Sequence, residues 1–267
     1  MKNNFFVICI ALSAFILNAC GANQKKSDIK SEKKSAVNEV TLLNSLTEKE
    51  KSDGWMLLFN GDSLEGWRGY SREDVPVAWT IEDNAIKVES SVEDEAGDED
   101  RGDIIYDQQF KNFQLHFEWK VSKGGNSGVF YLAQEIEDLP IWRSAPEYQI
   151  LDNENYLDAR QGKDGNRKSA SLYDLIPANP QNSKGWGEWN SGAIFINEGT
   201  VVHMQNGEVV LKYHLWTPEW EEIIANSRFD GLTEMLDAGG YDQMGYIGLQ
   251  DHGDDVWFRN IKLKEME

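Results

Sequence analysis

The stretch FQLHFEWKV at residues 113–121 decides the fold class of this chain. Its odd-numbered positions carry Phe, Leu, Phe, Trp and Val, whereas its even-numbered positions carry Gln, His, Glu and Lys. Successive side chains of a β-strand point to opposite faces, so this period of two predicts a strand with one buried face and one polar face.

Strand patterns recur on the C-terminal side of this stretch, at residues 127–133, 147–151, 192–197 and 201–205. Asn206-Gly207 follows the last of these and is typical of a type I′ hairpin, which needs positive φ at both central positions. A helix signal occurs at residues 47–50, whose S/T-x-x-E spacing predicts a capped helix at the start of the domain. We therefore predict an all-β fold, an antiparallel two-sheet β-sandwich.

The closing residues 245–263 predict two half-buried strands joined by a loop that carries Gln250, Asp251 and His252 between glycines. This loop would present an acceptor in Asp251, a titratable imidazole in His252 and a cation in Arg259. Imidazole both takes and gives a proton near neutral pH, so His252 is a candidate acid–base residue. The alternative is that His252 caps a tight turn.

The N-terminus has the pattern of an export signal. Lys2 precedes the apolar residues 5–17, which are too few to span a bilayer comfortably, and Leu17-Asn18-Ala19-Cys20-Gly21 resembles a bacterial lipobox. The pattern predicts a lipoprotein signal peptide at residues 1–19, lipidation of Cys20, and an exported, membrane-anchored protein of the periplasm or cell surface. A cleaved signal with an unmodified Cys20 is the alternative.

Composition bounds what the mature chain can do. Residues 20–46 are rich in Lys, Ser, Asn and Glu and predict a flexible tether, which leaves residues 47–267 as one β domain. The two cysteines, Cys9 and Cys20, lie before that domain, so disulfides, thiolate catalysis and Cys-based zinc sites are excluded from it. The formal net charge of −20 repels phosphate backbones and makes nucleic acid a poor partner.

Acidic residues crowd at positions 93–103, in the run EDEAGDEDRGD. Calcium takes several carboxylate and carbonyl oxygens, so a calcium loop is one interpretation, but the spacing matches no EF-hand. A run of like charge is usually a solvated loop, and we favour that interpretation.

Several of the ten tryptophans lie among polar residues rather than in apolar runs. Trp142 precedes Arg143, and Trp189 lies in the run Gly187-Glu188-Trp189-Asn190. An apolar platform with a few placed polar groups suits a sugar, which offers C–H faces and a ring of hydroxyls. Packing in the core of the sandwich is the rival interpretation for each of them.

Six sets of motifs occur in the order typical of one known family: GWMLLFNG with LEGW (54–67), GNSGVF (125–130), EYQILD (147–152), GEWN (187–190), HMQNG (203–207), and IGLQDHG with FRNI (247–261). Over residues 54–263 the chain resembles the 3-keto-disaccharide hydrolase family. The resemblance implies a concanavalin-like or laminarinase-like jelly roll that cleaves 3-keto-glycosides. It also implies a glycoside or oligosaccharide substrate and a partner sugar 3-dehydrogenase that makes the keto group. We expect that no cofactor is required.

A keto group at C3 acidifies the proton on C2, so a base can remove it, and the C1 substituent can leave by β-elimination before water adds back. This chemistry needs a general base, an acid for the leaving oxygen, and donors that hold the enolate. The candidate catalytic residues are His252, Glu147 and Asp251, with His252 or Glu147 as the base. The candidate substrate-binding residues are Asn126, Trp142, Arg143, Gln149, Asp152, Trp189, Gln250 and Arg259.

Three alternatives stay open at this point. Glu147, Asp152 and His252 could together hold a divalent metal ion, which stabilises an enolate. A conventional β-glycosidase on the same fold needs two carboxylates about 5 Å apart, and the Glu-x-Asp-x-x-Glu spacing of laminarinase relatives does not occur in the sequence. A non-catalytic carbohydrate-binding lipoprotein would keep the tryptophans and tolerate loss of His252.

Overall fold

Two antiparallel sheets form the framework of the computed structural model, which describes residues 42–92 and 100–266. In chain order, the strands of this described part are β1 (Trp55–Leu57), β2 (Trp67–Gly69), β3 (Trp79–Glu82), β4 (Ala85–Val88), β5 (Ile104–Phe110), β6 (Phe113–Val121), β7 (Asn126–Ala133), β8 (Glu147–Leu151), β9 (Asn190–Asn197), β10 (Thr200–Gln205), β11 (Glu208–His214), β12 (Gly245–Leu249) and β13 (Val256–Glu265). The α-helices are α1 (Glu48–Ser52), α2 (Pro218–Ala225) and α3 (Thr233–Leu236), and short 3₁₀ helices cover Ile141–Arg143 and Leu157–Arg160.

One sheet has eight strands and the other has five. The eight-stranded sheet has the order β11-β10-β9-β6-β13-β4-β3, with β1 paired to β13, and the five-stranded sheet has the order β2-β5-β12-β7-β8. Neighbouring strands run antiparallel throughout both sheets. The predicted all-β, two-sheet antiparallel sandwich is therefore confirmed.

The main core lies between the two sheets and takes one face of each. The apolar side chains of β6 are all buried, and its polar ones are all partly exposed, as the period of two predicts. Tyr148 of β8 reaches across the core, where its hydroxyl donates to the carbonyl of Met204 over 3.1 Å. A second buried bridge joins Tyr131 Oη to His203 Nε2 at 2.8 Å. Hydrogen bonds shielded from water in this way fix how the two sheets face each other.

Local sequence signals predict several elements correctly. Residues 147–151 form β8 at the predicted bounds. Asn206 and Gly207, in the turn between β10 and β11, have φ values of 47° and 83°, as a type I′ hairpin requires. Thr47 and Glu50 form the predicted capping box at the start of α1.

Helices α2 and α3 were not predicted, because a search for strands with a period of two does not detect helices. A start signal for α2 is nevertheless present, because the Thr217 hydroxyl accepts a hydrogen bond from Trp220 N and Pro218 occupies the first turn. In the part of the chain that the structure describes, α2 is the longest helix, at eight residues, and none of the helices there could traverse a bilayer.

The closing run does form two strands, but they lie in different sheets. β12 pairs with β5 and β7 in the five-stranded sheet, whereas β13 pairs with β6 and β4 in the eight-stranded sheet. The loop between them, residues 250–255, therefore crosses from one sheet to the other. Arg259, which lies on β13, therefore belongs to a different sheet from the residues of β12.

Asn44 already belongs to the folded domain, so the predicted tether of residues 20–46 extends too far toward the C-terminus. Asn44 N donates to Asn260 Oδ1 and Asn260 N donates to Asn44 Oδ1, each over 2.7 Å. This reciprocal pair buries the Asn44 side chain against β13. The predicted signal peptide, Cys20 and the tether up to residue 41 lie outside the described residues, as do residues 93–99 of the acidic run.

Candidate active site

A cavity of about 380 Å³ lies on the outer face of the five-stranded sheet, the face turned away from the main core. Strands β7 and β8 contribute its floor, and residues 140–146, 172–175 and 228–235 contribute its walls. We call it the Glu147 cavity. Sites for small organic molecules have volumes of about 300–1,000 Å³, so it can hold a sugar.

Alternation along β8 decides which side chains face this cavity. Tyr148 and Ile150 belong to the main core between the sheets. Glu147 and Gln149 therefore point to the opposite face, and both line the cavity. The prediction that these two side chains share one strand face is confirmed.

The Glu147 carboxyl lies over Gly128 of the neighbouring strand β7. A side-chain carbon on Gly128 would come within 2.3 Å of Glu147 Oε1, so the glycine makes room for the carboxyl. Glu147 is only 7% exposed, and its carboxyl has no hydrogen-bond partner within residues 42–92 and 100–266. Burial, reinforced by the charge of nearby Asp103, raises the pKa of Glu147 to about 8, so this carboxyl is mostly protonated at neutral pH.

Asp103 is a second carboxyl at the cavity, and sequence reasoning missed it. It closes the acidic run directly before β5, and its Oδ1 accepts a hydrogen bond from Asp251 N over 2.9 Å. Burial, together with the Asp251 carboxylate, raises the pKa of Asp103 to about 7. The solvated-loop interpretation is therefore wrong at this end of the run. The available signal was that Asp103 immediately precedes Ile104 and Ile105, which are buried.

Asp251 fastens the Gln250-Asp251-His252 loop to that same segment. Its carboxylate, whose side chain is 1% exposed, pairs with the Arg101 guanidinium and accepts hydrogen bonds from Gly102 N at 3.1 Å and Gly253 N at 3.0 Å. With both oxygens engaged, Asp251 has the geometry of a positioning residue in place of the predicted catalytic one. Arg101 is also the cation of this loop, where the sequence analysis expected Arg259.

His252 lies at the mouth of the Glu147 cavity and is exposed to solvent. Its Nδ1 is 3.3 Å from the Tyr156 hydroxyl, and the two rings meet edge to face with their centroids 5.9 Å apart. Burial raises the pKa of Tyr156, so this hydroxyl stays protonated and serves as a hydrogen-bonding partner. Tyr156 thereby orients an imidazole that remains accessible to a ligand.

Two amide side chains present unpaired oxygens at the same cavity. Asn126 Oδ1 and Gln250 Oε1 are buried and have no hydrogen-bond partner in the described part of the chain. An unsatisfied buried acceptor costs about 1–3 kcal/mol, so both atoms suit a ligand hydroxyl. Trp142, which is 39% exposed, and Phe229 supply apolar surface nearby. The structure thus brings the predicted Asn126, Trp142 and Gln250 together with Glu147.

Four predicted binding residues do not line the cavity, namely Arg143, Arg259, Trp189 and Asp152. Arg143 stands behind Trp142, with its guanidinium carbon 6.0 Å from that ring, and does not line the cavity. Arg259 and Trp189 lie on the eight-stranded sheet, where Arg259 Nε contacts Glu118 Oε2 at 2.7 Å and the guanidinium stacks 3.8 Å from the Trp189 ring centre. The period of two predicts the face of a strand but not the sheet that receives it, which is why Arg259 was misplaced.

Asp152 holds the chain together after β8 and does not line the cavity. Its carboxylate accepts hydrogen bonds from Gly124 N and Glu154 N, each over 3.0 Å. Burial acts to raise the pKa of Asp152, but these bonds to the charged form outweigh it and hold the pKa below its usual value. The predicted metal set of Glu147, Asp152 and His252 is not gathered, and the described residues contain no group of three His, Cys, Asp or Glu side chains placed to hold an ion.

Buried carboxyls, unpaired amide oxygens and aromatic surface over one face of a β-sandwich define a carbohydrate-active sandwich protein as the class. Two candidate glycosyl hydrolases of Parabacteroides distasonis have similar solved structures. One is 29% identical with a TM-score of 0.73 and covers 85% of this chain and 100% of its own. The other is 26% identical with a TM-score of 0.59 and covers 79% of this chain and 99% of its own.

The family follows from the sequence comparison. The chain belongs to the family of the 3-keto-alpha-glucoside-1,2-lyase-like domain, whose model matches residues 54–264. It is also 48% identical, over 100% of both chains, to the 3-keto-disaccharide hydrolase of Bacteroides thetaiotaomicron. The family expected from the six sets of motifs is confirmed.

Glu147→Gln should change the pH dependence of stability. The pKa of Glu147 is about 8 in the folded protein against 4.5 for an ordinary glutamate. Between these values the unfolded chain releases this proton while the folded protein keeps it, so wild-type stability falls as pH rises. Relative to wild type, the variant should gain stability from pH 4.5 to 8, by at most about 1.4 kcal/mol per pH unit.

Urea unfolding at a series of pH values measures this gain. Glu137→Gln, which removes an exposed carboxylate of the same chemistry, is the matched control and should follow wild type at every pH. A constant difference between Glu147→Gln and wild type across the window would mean that Glu147 ionises normally in the folded protein.

Proposed function

We propose that this protein cleaves 3-keto-disaccharides and related 3-keto-glycosides at C1, as a step in carbohydrate degradation. The observation that carries the proposal is a cavity in which two protonatable carboxyls, Glu147 and Asp103, lie with the accessible imidazole of His252. Membership of the family supports the choice of an oxidised sugar as substrate.

Elimination followed by hydration accounts for the cleavage. A base removes the proton on C2, the carbonyl at C3 takes up the electron pair as an enolate, and the C1–O bond then breaks with a proton delivered to the leaving oxygen. Water adds to C1 of the resulting enone and C2 regains a proton, so the net reaction is hydrolysis. Each step needs a positioned acid or base, and proton transfer of this kind contributes about 10²–10⁴-fold in rate.

The electrostatics of the cavity support the following roles for its residues. Glu147, with a pKa of about 8, holds a proton at pH 7 and delivers it to the leaving oxygen. His252 takes the proton from C2, oriented by the Tyr156 hydroxyl. Asp103, with a pKa of about 7, is partly ionised at neutral pH and takes the proton of the incoming water. Asn126 and Gln250 accept hydrogen bonds from sugar hydroxyls.

This scheme uses protein side chains alone, so we propose that no cofactor is required. A sugar 3-dehydrogenase is the functional partner, because an enzyme must first oxidise C3 of the glycoside. The C3 carbonyl of the substrate accepts the electron pair of the C2 carbanion, so the protein has to supply only acids, bases and hydrogen-bond donors. The carboxyls of Glu147 and Asp103 and the imidazole of His252 are the groups that support this acid–base chemistry.

We also propose that the protein is an exported lipoprotein anchored through Cys20. The support is the lipobox pattern at residues 17–21 after an apolar run. In a bacterial host, the wild-type chain should sediment with membranes, and Cys20→Ser should shift it to the soluble fraction. Ser27→Ala, outside the lipobox, is the control and should stay with membranes. Equal membrane recovery of the Cys20 variant would contradict lipidation.

Removal of the His252 imidazole should slow turnover of a 3-keto-glucoside by about 10²–10⁴-fold, since the base for the C2 proton is lost. His214→Ala, at an exposed histidine of β11, should retain wild-type turnover. Both variants are assayed for release of the C1 substituent, and wild-type turnover in deuterated water should place deuterium at C2. Equal cleavage of the unoxidised glucoside would instead indicate a conventional glycosidase.

Gly128→Ala should reduce turnover of the same substrate by about 10²-fold, because the new methyl group would displace the Glu147 carboxyl from its position. Gly185→Ala is the matched control, since a side-chain carbon there meets no atom within 4 Å and the backbone is not in the left-handed region. The measurement is the initial rate of turnover of the 3-keto-glucoside by each variant, with excess chelator present to remove metal ions. Full activity of Gly128→Ala would show that the position of Glu147 is not important for catalysis.

A further inference from the structure

A second cavity, of about 440 Å³, lies on the outer face of the eight-stranded sheet. Its lining comes from β1, β6, β9, β10 and β13, so it crosses five strands of that sheet. The Glu147 cavity lies on the outer face of the other sheet, with the main core between them. We call the second one the His116 cavity.

The strand register explains why there is a hollow at this place. Met204, Ala193, His116, Lys262 and Leu57 are direct cross-strand partners, in this order, and form one row across the sheet. Ala193 is the small member of the row and leaves a gap between its larger neighbours. The gap is therefore part of the sheet itself and does not depend on a loop conformation.

His116 contributes a polar atom without a partner. Its ring is held between Trp55, at 4.6 Å between ring centres, and Phe195, at 5.9 Å. Its Nε2 is buried and has no hydrogen-bond partner among the described residues. Burial, followed by the charge of Lys262, lowers the pKa of His116 to about 4, so the ring is neutral at physiological pH. A neutral imidazole nitrogen can pair with a hydroxyl of a ligand.

The charged residues at the rim already neutralise each other. Lys262 pairs with Glu50, and Arg259 pairs with Glu118 at 2.7 Å. No uncompensated charge of these pairs is left to attract an anion or a cation. The remaining surface is largely aromatic and aliphatic, and its polar residues are His116, Ser191, Ser45 and Asn260. A neutral molecule with C–H faces and hydroxyls fits that combination, and a sugar ring has both.

We propose that the His116 cavity is a second saccharide-binding site, which holds one neutral sugar ring on the side of the sandwich opposite to the Glu147 cavity. Trp189 and Arg259 extend this site along the sheet, because Arg259 connects Glu118 at the rim to the Trp189 ring. Sugar contacts were expected for both residues from the sequence, and a saccharide longer than one ring would meet them here.

The test uses unoxidised maltose and cellobiose as probes and follows binding to the full chain by saturation-transfer NMR. Ala193→Leu fills the gap and should weaken binding at least about tenfold. His116→Phe keeps the aromatic stack, removes Nε2, and should weaken binding about fivefold, the value of one hydrogen bond. Trp142→Ala removes aromatic surface from the Glu147 cavity instead, so the probe binding that this variant should retain is binding at the His116 cavity. Turnover of a 3-keto-glucoside should stay within about twofold of wild type in the two sheet variants.

Three results would overturn the proposal: no binding of either probe to wild type at about 20 mM, wild-type binding by Ala193→Leu, or loss of binding in Trp142→Ala. Thermal unfolding of each variant checks that it is folded. If Ala193→Leu does not fold, His116→Phe alone decides the outcome. Wild-type affinity of that variant for the two probes would then contradict the proposal. Failure here leaves the proposed catalytic function untouched, because that function is measured by turnover and not by binding of an unoxidised sugar.

Discussion

Burial of the Glu147 carboxyl with no hydrogen-bond partner among the described residues is the constraint on which the rest of the site depends. An ionised carboxylate in such a place would be costly, so the group keeps its proton and becomes an acid at neutral pH. The sheet accommodates the carboxyl by having glycine at position 128, and the surrounding turns form the walls of the cavity. Asp103 adds a second carboxyl whose charge reinforces the shift. Strand β8 thus packs against the main core with one face and carries the acidic group of the cavity on the other.

Long-range contacts complete what local structure begins. Asp251 and Arg101 are 150 residues apart in the chain, and their ion pair joins the loop after β12 to the segment before β5. The adjacent backbone hydrogen bond, from Asp251 N to Asp103, sets the position of the second carboxyl. His252 follows directly in sequence, so the same fastening places the imidazole at the cavity mouth. The ion pair and this hydrogen bond together position two groups of different chemistry, a carboxyl and an imidazole.

The sequence predicts what depends on neighbours along the chain and fails where distant segments meet. Periodicity gives the face of β8, so Glu147 and Gln149 were placed together correctly. Periodicity does not tell which sheet contains a strand. Arg259 was therefore expected beside Glu147, whereas the chain changes sheets after β12 and places Arg259 on the eight-stranded sheet. Asp103 was lost in an acidic run, because composition describes the run as a whole whereas burial depends on its contact with Asp251.

The reciprocal hydrogen bonds between Asn44 and Asn260 have a mechanical consequence. Asn260 borders the His116 cavity, so the described chain starts on the side of the eight-stranded sheet. A pull on the chain at residue 42 would act on this amide pair and, through Asn260, on β13 of the eight-stranded sheet. Within the described residues, such a force would therefore enter the domain through the sheet opposite to the one that carries the Glu147 cavity.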